Sequence, residues 1–211
     1  MIESCWENVD YIFLIDGKYK FYDSVFPFST DDYEDILHRY PNVMVDVAPD
    51  LLEHEKRNCY LEWCKEFDID FLIIVDSDEY FYDCNWNKFR EEITELDDGY
   101  IYNIKNYQYV KGMDSILPVD NPRLWRNPGA LEYKNKSHYQ FGLKNSEDHE
   151  VQVASRCIHS IKLYHDPHLR SDERQLKHDD YIKRLEEYEQ TKQLWECNQE
   201  KATREYVVWN S

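Results

Sequence analysis

The apolar positions of this chain fall into short runs typical of strands, separated by stretches with helical spacing. Residues 9–15 (VDYIFLI) read as a strand closed by Asp16-Gly17, and residues 42–47 (NVMVDV) as a second strand. Pro49 precedes a segment with Leu, Tyr and Trp at helical intervals, which predicts a helix over about 50–67. Residues 69–75 (IDFLIIV) form an apolar run with β-branched residues, expected of a central strand buried on both faces. Asn85 is placed to cap a helix over 85–96. This alternation predicts an α/β fold with a mixed, mainly parallel sheet flanked by helices.

Past Gly99 the pattern changes. Residues 100–104 and 107–110 read as shorter strands of an antiparallel extension, and 111–149, with three of the five glycines, as loop. Residues 157–164 read as a late strand, whose alternation puts Cys157, His159, Ile161, Leu163 and His165 on one face. Ser171 is a plausible cap for a long charged helix through about 206, with Leu176, Ile182, Leu185, Tyr188 and Leu194 as a partial apolar stripe. There is no repeat or low-complexity linker, so one domain over 1–211 is expected.

Charge narrows the partners. The 211 residues carry 43 acids against 25 Lys and Arg, a formal net charge of −18. Such a field repels phosphate backbones and argues against nucleic-acid binding. It also repels a nucleotide diphosphate, which would need a bridging cation and a few placed Arg or Lys. The 18 tyrosines suit a surface that holds sugars or bases, although most are expected to pack within the fold. Six cysteines form no C-x-x-C pair, and no apolar run reaches membrane-spanning length or marks a signal peptide. A soluble cytoplasmic domain is expected.

The strongest chemical signal is Asp76-Ser77-Asp78-Glu79, directly after the apolar strand. In open α/β sheets, ligands bind beyond the carboxyl ends of strands. Two carboxylates on one turn repel unless a cation lies between them, and their hard oxygens suit Mn²⁺ or Mg²⁺. The plain alternative is a solvated acidic turn before the next helix. His165, ending the last strand, could complete a metal shell or could sit as an ordinary histidine before Asp166-Pro167. Arg57 offers a fork of donors for a diphosphate or uracil edge, or a helix-surface pair with a Glu. Asp16 could accept from a base or ribose, or serve the Asp-Gly turn. Arg123, in Pro122-Arg123-Leu124-Trp125-Arg126, could line the donor or acceptor pocket, or point outward from an edge strand. His138 and Asp148, with neighbouring Glu147, are candidate bases for an acceptor hydroxyl.

Asp16-Gly17, Arg57-Asn58, Asp76 to Glu79, Arg123 to Arg126, and His165 followed by a charged helix form an ordered set over most of the chain. This set resembles the GT-A (Rossmann-like) glycosyltransferases, near the family-2-like group, including the amino-terminal transferase domain of a multidomain viral polypeptide. The resemblance implies Asp78 on Mn²⁺ or Mg²⁺, Asp76 on the metal or ribose, and His165 as a further metal ligand. It also implies Asp16, Arg57 and Arg123 near a nucleotide-sugar donor, UDP-linked first, with a glycan acceptor. It divides the chain into a nucleotide-binding part over about 1–98, an acceptor and metal-completing part over about 99–170, and the helix over about 171–206. The chain departs from the group at its start, where residues 1–7 read as helix and the usual first strand is missing or replaced. A non-catalytic sugar- or nucleotide-binding module of the same fold is the alternative from another class. A sugar nucleotidyltransferase would need a glycine-rich loop after its first strand, which is not present. A phosphohydrolase with an Asp nucleophile would carry its motif on the first strand.

Overall fold

A computed structural model describes residues 1–22, 33–96, 100–109, 116–134, 143–145, 147, 149, 151, 153–165, 176, 179–188 and 190–191. The order is β1 (Ile12–Asp16), α1 (Tyr33–Arg39), β2 (Val43–Val47), α2 (Glu53–Glu66), β3 (Phe71–Ile73), β4 (Glu79–Phe81), α3 (Trp86–Thr94), β5 (Ile101–Tyr109), β6 (Ile116–Arg126), β7 (Leu131–Tyr133), β8 (Leu143–Asn145) and β9 (Val153–His165). Short 3-10 turns occupy Ile2–Ser4, Trp6–Asn8 and Pro128–Ala130. The described residues from 179 to 191 are helical, as is Leu176. No helix among the described residues is long and apolar enough to cross a membrane.

The fold is mixed α/β, but its sheet is mixed rather than mainly parallel. β1 and β2 form a parallel pair, and five strands form a second sheet in the order β3-β6-β5-β9-β4. Within that sheet only β5 and β9 run parallel. The difference traces to β6, an 11-residue strand in the segment expected to be loop. Its Pro118 and Pro122 mask the strand signal. β3 covers β6 only over Leu124–Arg126, so Pro118 sits where β6 has, among the described residues, a neighbour on one side alone, the kind of edge position that tolerates proline. β7 and β8 also lie in the expected loop. The two short strands expected over 100–110 are one continuous strand, β5.

The expectation for β3 holds for its faces and fails for its position. Phe71, Ile73 and Val75 pack on one apolar cluster and Leu72 and Ile74 on another, as period-2 geometry requires. The strand nevertheless ends the five-stranded sheet instead of lying at its centre. The larger cluster joins Ile12 and Val43 of the parallel pair to Tyr102, Ile104, Leu124, Ile158 and Leu163 of the five strands. The chain start, expected to be helix, forms two 3-10 turns. Phe81 N donates to Ser4 Oγ across 3.1 Å, pinning the first turn to β4.

β9 breaks the expected alternation. Its register against β5 slips between Ile104–Ile158 and Lys105–Lys162. Ile158, Ile161 and Leu163 are all buried while His159 is exposed. The irregular stretch turns the face, so His159 does not share a side with His165. In the last helix Tyr181 and Leu185 are buried, but Leu176 is exposed, against the expected stripe. Residues 171–175 and 192–206, with Leu194, lie outside the described residues.

Gly17 joins the two halves of the parallel pair. It has φ of 115°, and a Cβ there would lie 2.7 Å from Pro49 N. Both conditions exclude a side chain without a shift of backbone. Ala48 N donates to Asp16 O across 2.8 Å, and Asp50 N to Lys18 O across 2.9 Å, so the loops after β1 and β2 run together. Gly17→Ala is therefore expected to destabilise the fold by about 1–3 kcal/mol. Urea unfolding checks this: the midpoint falls while the slope stays constant.

Candidate functional site

The site is built on the turn that joins β3 to β4. Glu79 N donates to Asp76 O across 2.9 Å, and Asp76 N donates back to Glu79 Oε2 across 2.9 Å. This reciprocal pair closes the turn and fixes the two carboxylates it carries. Glu79 then opens β4 directly opposite His165, the last residue of β9. Opposed residues of an antiparallel pair share a face, so the strand ends bring His165 to the turn. His165 Nε2 lies 3.2 Å from Asp78 Oδ2. Asp78 is buried.

A bulge delivers Arg123 to the same place. β5 pairs Tyr102 with Leu124 and Asn103 with Pro122, which leaves Arg123 without an opposite residue. An extra residue of this kind bends a strand and re-aims its side chain. Arg123 Nη2 lies 2.6 Å from Asp76 Oδ2 and 2.7 Å from Glu79 Oε1. The two partners differ in access: Asp76 is 46% exposed and Glu79 only 3%. Asn106 Nδ2 also donates to Glu79 Oε1, across 2.6 Å.

The electrostatics follow from this geometry. Burial pushes the Asp76 carboxyl up, but Arg123, helped by Arg57, outweighs it and holds it below the ordinary carboxylate value. For Glu79 burial wins over Arg123, and its carboxyl is raised. Burial alone would lower the Arg123 guanidinium, yet Asp76 and Glu79 raise it overall.

Arg57 and Asp16 have local partners. Arg57 Nη2 binds Glu53 Oε1 at 2.8 Å, one helical turn away. Its guanidinium lies 5.8 Å from the centre of the Tyr133 ring. Asn58 fastens that wall: Tyr133 N donates to Asn58 Oδ1 across 2.8 Å, and Asn58 Nδ2 donates to Tyr133 O across 3.1 Å. The field of Arg57 still reaches Asp76. Asp16, ending β1, accepts from the Tyr33 hydroxyl that opens α1. Lys56 on α2 donates to Gly17 O, and the Asp16 charge opposes the lowering of its ammonium by burial.

The structure thus brings Asp76 and Arg123 together, and Asp78 and His165 together, on one turn. His138 and Asp148 lie outside the described residues. Exposed Glu147 has Oε2 3.4 Å from His149 Nδ1. Sequence reasoning passed over Glu79 and Asn106. Glu79 stood in the quoted motif as a trailing acid, and Asn106 follows Tyr102 and Ile104 at period 2, a polar residue on a core face. The Oδ1 of Asn106 is buried with no hydrogen-bond partner among the described residues.

The donor set suits a hard divalent cation in part. Neighbouring ligands on an octahedral ion with bonds of about 2.1 Å stand about 3 Å apart, close to the Asp78–His165 separation. Among the described residues no group of three His, Cys, Asp or Glu is placed to hold a metal ion. The remaining positions would fall to phosphate oxygens, water, or a rotated Asp76. No protein-family model and no curated protein matches the sequence.

The pairing of Asp76 sets a pH dependence. Its folded-state carboxyl titrates below the unfolded one, so its stabilisation is present at neutral pH and is lost as pH falls. The stability gap between wild type and Asp76→Asn should be widest at neutral pH, begin to narrow as pH approaches the ordinary carboxylate range near about 4, and close only once pH falls below the depressed folded-state titration. Denaturant unfolding across that range checks it; a gap independent of pH would contradict the pairing.

Proposed function

We propose that this chain is a metal-dependent glycosyltransferase of GT-A type. It takes a sugar from a nucleoside-diphosphate donor, with a UDP-sugar first, and passes it to a hydroxyl of a glycan acceptor. The observation that carries the reading is the Asp78–His165 pair, 3.2 Å apart, on a turn following one strand and at the carboxyl end of another. That is where α/β sheets bind ligands. A carboxylate and an imidazole together are donors that Mn²⁺ accepts readily.

Asp78 and His165, joined by Asp76, are the residues that would hold Mn²⁺ or Mg²⁺. The ion would supply charge neutralisation to the departing nucleoside diphosphate. The chain's own residues do the rest. Glu79 holds the turn in shape through both of its backbone contacts with Asp76. Arg123 brings a fixed positive charge to a chain of strong negative charge, which lowers the repulsion toward a diphosphate. Asp16 at the end of β1 is the acceptor offered to ribose or base, and Arg57 with Tyr133 forms a wall carrying positive charge near Asp76. His138 and Asp148 stay as candidates for taking the proton of the acceptor hydroxyl. All five described free cysteines are unpaired, which supports a reducing, cytoplasmic setting. The resemblance to a multidomain polypeptide suggests a transferase unit within a longer chain.

One observation favours the non-catalytic binding module. Asp76 is engaged by Arg123 through a 2.6 Å contact and is not turned toward Asp78 and His165. Turnover separates the two readings: the transferase releases UDP from a UDP-sugar in the presence of Mn²⁺, and the module does not.

The donor site is tested by calorimetric titration of UDP and UDP-glucose, with and without Mn²⁺, into wild type and Asp78→Ala. Metal-dependent UDP binding that is lost in the variant is expected. No binding under any of these conditions removes the UDP assignment and moves the test to GDP- and dTDP-sugars.

A further inference from the structure

We propose that Asp76 is a two-position carboxylate. It rests on Arg123 when no cation is bound and turns to the cation when one arrives, while Glu79 keeps Arg123 paired. The inference rests on the cation-site reading above and adds to it a competition built into the chain.

Three observations carry it. First, a single guanidinium nitrogen, Nη2 of Arg123, serves both acids, at 2.6 Å from Asp76 and 2.7 Å from Glu79. Second, the two acids are unequally held. Glu79 is almost wholly buried and is fixed by Asn106 and by the Asp76 amide, whereas half of the Asp76 side chain faces solvent. Among the described residues the side chain of Asp76 has only Arg123 as a hydrogen-bonding partner, so one side-chain rotation frees it. Third, the Arg123 side chain is only 15% exposed, comes from a bulged strand and is held by Glu79 as well, so it stays paired when Asp76 leaves.

The physical case is one of burial. A guanidinium left alone in such a place is strongly destabilising. Because Glu79 remains on it, the departure of Asp76 leaves no isolated charge. With Arg123 alone holding Asp76, a cation would have to break a buried ion pair outright. With Glu79 present, it takes the exposed half of a shared pair. The arrangement also has a cost: the positive charge of Arg123 repels the ion, so the cation alone binds weakly. A diphosphate, which Arg123 attracts, offsets that repulsion, and the two ligands favour each other's binding.

The test is a double-mutant cycle read by Mn²⁺ binding in the absence of nucleotide, with free Mn²⁺ followed by its paramagnetic resonance signal. Arg123→Gln should tighten Mn²⁺ binding by on the order of tenfold, since a positive charge a few ångströms from the ion is removed. Asp76→Asn should weaken binding by less than about twofold in wild type and by about tenfold in the Arg123→Gln background, a coupling typical of residues in direct contact. The same Asp76→Asn comparison in an Arg123→Gln/Glu79→Gln background removes both buried charges and guards against misfolding, because deleting a whole buried pair is close to neutral. Equal costs of Asp76→Asn in all backgrounds, or weaker binding in Arg123→Gln, would overturn the proposal. Asp78→Ala tells the two failures apart. If it abolishes Mn²⁺ binding while the Asp76 costs are equal, only the two-position carboxylate falls. If it leaves Mn²⁺ binding unchanged, or if no form binds Mn²⁺, the cation site falls as well and takes this proposal with it.

Discussion

A guanidinium largely withdrawn from water must keep a counter-charge, and Arg123, 15% exposed, meets that requirement with two acids from one short turn. Asp76 and Glu79 sit at its Nη2 within 2.7 Å, on a turn between β3 and β4 that the Asp76–Glu79 hydrogen bonds close on itself. The ion pair therefore constrains both ends of the site. It fixes where β3 stops, and it sets the direction in which β4 leaves. The second consequence is the position of His165. Because Glu79 opens β4 and pairs with the last residue of β9, the imidazole arrives beside Asp78 through backbone register.

The same constraint explains the sheet. Arg123 reaches the turn only because β6 lies between β3 and β5 and carries an extra residue there. A parallel sheet with β3 at its centre would have no place for that strand. The bulge also uses Pro122 well: proline at the irregularity forgoes a ladder bond where the ladder is already broken. Asn106 completes the arrangement from β5, donating to Glu79 on a face otherwise filled by Tyr102 and Ile104. The charge balance of the chain, strongly negative overall, makes these few fixed cations the means by which an anionic ligand could approach.

Much of this was legible in sequence, and the failures have physical causes. The runs at 9–15, 42–47 and 69–75 announced β1, β2 and β3 because apolar, β-branched residues dominate each of them. Asn85 announced α3, and its side chain does accept from Lys88 N at 3.0 Å. Asp76, Asp78 and His165 were identifiable because each carries charge or an imidazole next to an apolar run, and Arg123 because it accompanies an aromatic in Pro122-Arg123-Leu124-Trp125-Arg126. The strand around Arg123 was not, since Pro118 and Pro122, with the polar or charged Asp120, Asn121 and Arg123 among them, look like loop until a register is known. β9 misled in another way. Its alternation was read as uniform, and the slip after Ile158 reverses it. Arg57 shows the limit of motif reading: its residue type suits a diphosphate, yet α2 places Glu53 one turn away and Tyr133 packs against it.

The proposed function stands or falls on whether Asp78 and His165 share one divalent ion. Anomalous diffraction from crystals soaked in Mn²⁺ and UDP addresses it directly, because the ion's position is read without reference to activity. One strong manganese peak is expected within bonding distance of the Asp78 carboxylate and the His165 imidazole, next to the diphosphate. Nucleotide density with no manganese there, or a peak bonded to other side chains, would contradict it.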